Sequence, residues 1–147
     1  MTRVLGLVLL VAAASACGHD FEPPDQSERV SAAEAAYAAS LFDSIAWSGE
    51  AERLEVGNTV YAEECRRCHG ALGYGDTDYA RERELTVPSL VERDWPLAQL
   101  DSTRHKVYVG HESTMPIFGD DNLSLRQIDA VSRYILDTLR PDVLDEG

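Results

Sequence analysis

Residues 65–70 read Cys65-Arg66-Arg67-Cys68-His69-Gly70. Two thiols three residues apart, followed at once by a histidine, form the C-x-x-C-H pattern of c-type haem attachment. The spacing has a physical reason. On one helical turn both sulfurs can reach the two vinyl groups on one porphyrin edge, and His69 then lies beneath the iron and can bind it. In a chain of this composition the pattern arises by chance roughly two times in a thousand. The rival readings are weaker. Structural zinc needs four ligands, and no second C-x-x-C or histidine pair accompanies this one. A thioredoxin-like dithiol needs a βαβ setting, and no strand pattern of useful length is present.

A haem carrier also needs a ligand on the other face of the iron. The remaining histidines and methionines are Met1, His19, His105, His111 and Met115. Met1 and His19 fall in an N-terminal leader and tether. Met115, fixed by Pro116 in an irregular stretch before the last helix, is the leading candidate, and His111 is the second. A thioether favours ferrous iron and raises the potential relative to two histidines. Two protein ligands leave no open position for a small-molecule substrate, which points to electron transfer rather than oxygen activation.

Outward from the motif the pattern is helical. Residues 51–64 form a helix that delivers the chain to Cys65. Gly70, Gly73 and Gly75 make a loop, residues 76–96 are mostly irregular, and 97–109 hold one or two short helices. Residues 110–119 form another loop. The last helix has Ser124 and Gln127 as a capping box, with Leu123 and Ile128 placed as a hydrophobic staple. Leu125, Ile128, Val131, Ile135 and Leu139 line one face, and Pro141 is expected to stop the helix. The fold class is all-α with long loops.

The N-terminus reads as an export leader. Arg3 is followed by an apolar run from Val4 to Ala14, too short to span a bilayer. Ala14-Ser15-Ala16-Cys17 resembles a bacterial lipobox, in which the cysteine is lipidated, although relatives usually carry Leu at the first place. Simple cleavage at an Ala-x-Ala site is the alternative. Residues 1–16 are thus a lipoprotein-type signal peptide and 17–30 a lipid-anchored tether. Its last 13 residues, GHDFEPPDQSERV, could reach ~43–47 Å. Ser31-Ala-Ala-Glu34 has the form of a capping box for an additional helix over 31–48, with Tyr37, Leu41 and Ile45 on one face. Packing on the domain, lying on a membrane and docking on a partner are all open to it. Residues 49–141 are then the haem domain and 142–147 a tail.

Composition sets the remaining bounds. The 147 residues suffice for one domain, and 44% are hydrophobic, so a core is affordable. Thirteen basic residues against 26 acidic exclude nucleic-acid binding through a basic patch. The acidity serves either solubility or docking to a basic redox partner.

Residues ~50–140 resemble class I cytochrome c, the small monohaem fold. The matching words are Gly57-x-x-Val60-Tyr61, then Cys65 to Gly70, Pro88-Ser89-Leu90, Met115-Pro116-Ile117-Phe118-Gly119, Leu123-Ser124, and Ile128 through Ile135. The resemblance implies one covalent haem c, with Cys65 and Cys68 as its attachment points and His69 and Met115 on its iron. It implies that Pro88 offers its carbonyl to the non-ligating nitrogen of His69. It also implies that the first and last domain helices cross closely, Gly57 and Tyr61 facing Val131 and Tyr134. Here Lys106 is the single lysine, so the lysine-ringed surface of mitochondrial relatives is missing and their partners should not be carried over. Two roles follow for an exported, lipid-anchored protein of the periplasm or outer cell face. One is a shuttle between a donor and an acceptor complex. The other is a permanently docked subunit of a respiratory or photosynthetic complex. An enzyme would need a second haem motif or a catalytic domain.

Overall fold

The structure is a computed structural model that describes residues 25–120 and 122–145. The leader, Cys17, the tether as far as residue 24 and the last two residues of the tail lie outside the described residues. The elements are α1 (Ser27–Ala36), a 3-10 turn (Ala39–Phe42), α2 (Glu50–Val60), α3 (Arg66–His69), α4 (Asp78–Glu82), α5 (Leu100–Val109), α6 (Leu125–Tyr134) and α7 (Arg140–Asp145). A π turn over Tyr61–Cys65 joins α2 to α3, and another over Ile135–Leu139 joins α6 to α7. No strand is present among the described residues.

The core is organised by the crossing of α2 and α6, the largest contact between helices. Gly57 makes it possible. A Cβ there would sit 2.4 Å from the Ala130 carbonyl oxygen and 2.8 Å from the Tyr134 Cβ. The backbones therefore touch, at the tight end of helix packing. The Tyr61 and Tyr134 rings pack together at a tilt of 45°, with centroids 5.5 Å apart. The resemblance placed Val131 opposite Gly57. The nearest atoms instead belong to Ala130 and Tyr134, and Val131 fills the adjoining core at 0% exposure.

The start of α6 follows its sequence signal. Gln127 accepts from the Ser124 backbone N–H at 3.0 Å, and the Ser124 hydroxyl accepts from the Gln127 N–H at 3.3 Å. Its end does not. Pro141 is a stop signal in the sequence, yet the chain stays helical to Asp145. The π turn supplies the reason. Arg140 N–H bonds back to the Ile135 carbonyl, five residues away, so the helix restarts at Arg140. Pro141 then falls in the first turn of α7, where a missing N–H and a fixed φ are tolerated. Part of the expected tail is thereby helical.

The N-terminal boundaries also need correction. The expected capping box at Ser31–Glu34 lies inside α1, which begins at Ser27 within the expected tether and ends at Ala36. Asp25 wins the start because its carboxylate accepts from the backbone N–H and hydroxyl of Ser27. Residues 37–47 do not continue the helix. They form a strap across α5 and α6, and Tyr37, Leu41 and Ile45 all pack against the core through it. Tyr37 donates to the Asp101 carboxylate at 2.7 Å. Phe42 is 4% exposed, with the Arg104 guanidinium 4.8 Å over its ring.

Asp129 locks the strap. Its side chain is buried, and it accepts from Trp47 Nε1 at 2.7 Å, Arg104 Nε at 2.9 Å and Arg133 Nε at 3.2 Å. Burial alone would raise its pKa. Arg104, Trp47 and Arg133 together outweigh that and hold it below the usual aspartate value.

Two outcomes follow, both read by denaturant unfolding. Gly57→Ala should destabilise by about 1–3 kcal/mol, although helix propensity alone would favour Ala by about 1 kcal/mol. Asp129→Ala should cost about 3–5 kcal/mol at neutral pH, because Arg104 loses its buried partner. Since the folded pKa is depressed, the Asp129 contribution is complete above the unfolded value of about 3.9. The ionic part is lost as pH falls through the lower folded value, so the gap between wild type and variant should narrow only in strong acid.

Candidate functional site

The path from α2 to α3 carries the motif. Arg66 N–H bonds to the Tyr61 carbonyl across five residues, so the helix is wide as it presents Cys65. Such π turns occur often at functional sites. Cys65 is 7% exposed and Cys68 is part-buried, and no disulfide joins them. α3 ends at Gly70 in the left-handed region, φ 81°. The Tyr61 hydroxyl donates to the Gly70 carbonyl at 2.8 Å.

The following loop returns against His69. Gly75 N–H bonds to the His69 carbonyl at 2.9 Å, and Leu90 N–H bonds to the Gly73 carbonyl at 2.8 Å. A Cβ on Gly75 would lie 2.3 Å from the Val87 carbonyl oxygen, so glycine brings the 87–88 backbone to the histidine. The Pro88 carbonyl is near enough to favour a proton on the His69 ring. His69 Nδ1 is fully buried but has no hydrogen bond of ordinary geometry. Burial is the stronger influence and lowers the His69 pKa, which keeps the ring neutral with a lone pair to give.

Cys65, Cys68, His69 and Pro88 line one cavity of about 650 Å³, a volume in the range of small-molecule and cofactor sites. Leu90, Trp95, Leu97, Val107, Phe118 and Ile135 make much of it apolar. Met115 lies on the same wall system, and so does His111. His105 does not. Its Nε2 meets a Glu34 carboxylate oxygen at 2.7 Å, and its ring packs edge-on to Tyr37. Met115 is carried by a tight loop. His111 N–H bonds to the Met115 carbonyl at 3.0 Å. A Cβ on Gly110 would stand 2.4 Å from the Pro116 carbonyl oxygen, so only glycine closes the loop this far.

The chemistry of the donors fits a covalent haem. Burial pushes the Cys65 thiol up to about 12, with Glu64 and Cys68 adding to the shift. Burial also raises Cys68, against the opposing pull of Arg67 and Arg83. Both thiols face the apolar hollow, which is where the edge of a covalently attached ring would lie. No group of three or more His, Cys, Asp or Glu side chains could hold a metal among the described residues. What the cavity offers is two thiols, a neutral imidazole and a thioether, set in an apolar hollow.

Sequence reasoning overlooked Arg140. It is 7% exposed, donates to the Leu90 and Glu92 carbonyls, and lies 5.1 Å over the Trp95 ring. It thus ties the cavity wall to the last helix. Its position before Pro141 gave no hint of burial.

The family model described as "Cytochrome C oxidase, cbb3-type, subunit III" matches residues 52–135. That span includes Cys65, Cys68, His69, Pro88 and Met115. No curated protein matches the chain. More than half of the chain therefore aligns with a haem-binding domain whose attachment motif lines a cavity of fitting size and chemistry, and the chain belongs to this family of c-type cytochromes: it is an electron-transfer protein with one covalently bound haem c.

Proposed function

We propose that the protein is a one-electron carrier with His69 and Met115 as the two ligands of its haem iron. The observation that carries this is the shared cavity. His69 and Met115 both line it, whereas His105 is engaged elsewhere. When bound, the haem supplies a single-electron change at iron. The side chains do the rest. Cys65 and Cys68 fix the ring by thioether bonds. The Pro88 carbonyl lies near enough to the ring to favour a proton on Nδ1, which would leave Nε2 for the metal and raise the basicity of the ligand. Met115 would give its sulfur to the iron, and a soft thioether favours the reduced state. The apolar wall keeps water away.

The carrier is exported and held to a membrane by a lipid on Cys17. It meets a donor and an acceptor in turn, and its acidic surface docks on basic partner surfaces. Among the described residues no helix is long and apolar enough to cross a membrane. The strap supports a mobile carrier, because residues 37–47 are spent on their own domain rather than left for a permanent partner. The second reading is a fixed subunit of an oxidase, favoured by the description of the matching family.

Cys65→Ala with Cys68→Ala should abolish haem staining on a denaturing gel. Met115→Ala should lower the reduction potential and remove the weak red absorption of a methionine bound to ferric iron. Retention of that band in Met115→Ala would overturn the ligand assignment. Electron transfer to a partner-containing membrane should slow with added salt. Obligate co-purification with integral membrane proteins in mild detergent would favour the fixed subunit.

A further inference from the structure

We infer that Gln26 is a positioning residue for the Met115 ligand, acting from outside the haem-domain match by holding the 111–115 loop closed. The inference rests on the reading of Met115 as an iron ligand. Gln26 stands at the N-cap of α1, but its side chain makes no capping bond there. It reaches across the fold instead. Its Nε2 donates to the His111 carbonyl at 2.8 Å and to the Met115 carbonyl at 3.1 Å. Its backbone N–H donates to the Glu112 carbonyl at 3.0 Å. Two acceptors at one end of the side chain require the amino group to face them, and both of its protons are then used.

The geometry is that of a staple. The loop ends are joined once directly, by His111 N–H to the Met115 carbonyl, and once through Gln26. The carbonyl that Gln26 grips belongs to the residue whose sulfur would bind iron. Loop opening must therefore break the Gln26 bonds as well as the iron–sulfur contact.

The rest of α1 does not hang on Gln26. Ala33 packs with Val109 before the loop and Ile117 after it. Arg29 pairs with Asp120 at 2.7 Å through two exposed side chains. Removing the Gln26 amide therefore leaves α1 docked and tests the staple alone.

The test is imidazole titration of the ferric, haem-loaded full chain. Imidazole competes for the iron only when Met115 leaves, so its apparent affinity scales with the open fraction of the loop. Losing two hydrogen bonds should raise that fraction on the order of tenfold. Gln26→Ala and the near-isosteric Gln26→Glu should both bind imidazole about that much more tightly, with unchanged circular dichroism. Arg29→Ala should match wild type. In a Met115→Ala background, Gln26→Ala should have no further effect. Wild-type imidazole affinity in both Gln26 variants, with the methionine band lost in Met115→Ala, would overturn the staple and leave the ligand standing. An equal effect from Arg29→Ala would also overturn it. A band that survives in Met115→Ala would instead bring down the ligand reading beneath it.

Discussion

The backbone contact between Gly57 and Ala130 sets how close α2 lies to α6, and the haem cavity inherits its dimensions from that spacing. Cys65 lies further along the first helix and Ile135 further along the second, and both end on the cavity wall. Each stands at a π turn. A wider turn rotates the succeeding side chains relative to a regular helix. The close crossing supplies rigidity, and the two wide turns aim those side chains toward the same hollow. Between them, glycine at 75 and 110 lets two loops approach other backbones at distances no Cβ would permit.

Much of this was legible in the residues. The C-x-x-C-H run, the capping box at Ser124 and the Met115-Pro116 pair are local signals that need no knowledge of a partner, whereas the Gly57 crossing joins distant segments and came only through the family resemblance. The misreadings share a different cause. Pro141 reads as a stop because a regular helix cannot pass proline, and nothing in Ile135–Leu139 announces a π turn. Ser31 resembles a cap, but Asp25 and Ser27 make a competing one a turn earlier. Tyr37, Leu41 and Ile45 stand at helical spacing. They are core-facing without a helix, because a 3-10 turn within an extended strap also returns apolar residues to one side. Arg140 and Asp129 were illegible for another reason. Their burial depends on groups far away in sequence, and a single charged letter looks like surface.

The electrostatic layout divides the molecule. Inside, charges are few and paired: Asp129 sits among three donors, and Arg140 is satisfied by backbone carbonyls. Around the motif, Arg67 and Arg83 each lie 4.0 Å from the Tyr79 ring centre, beside Cys68. Carboxylates stand among them: Glu82 pairs with Arg83 at 3.6 Å, and Glu64 and Glu84 line the cavity, so both signs of charge border the motif.

The strap has a mechanical side. Chain arriving from the N-terminus crosses α5 and α6 before it reaches α2, and it is pinned at Tyr37, Phe42 and Trp47 in turn. A pull on the leading end meets the α1 contacts at Gln26, Arg29 and Ala33 first and these pins afterwards, and Trp47 delivers its share to a carboxylate fastened to two other helix positions. Tension is grounded in the scaffold ahead of the helix that carries Cys65. The attachment turn is therefore isolated from traction, as a cable clamp isolates a solder joint.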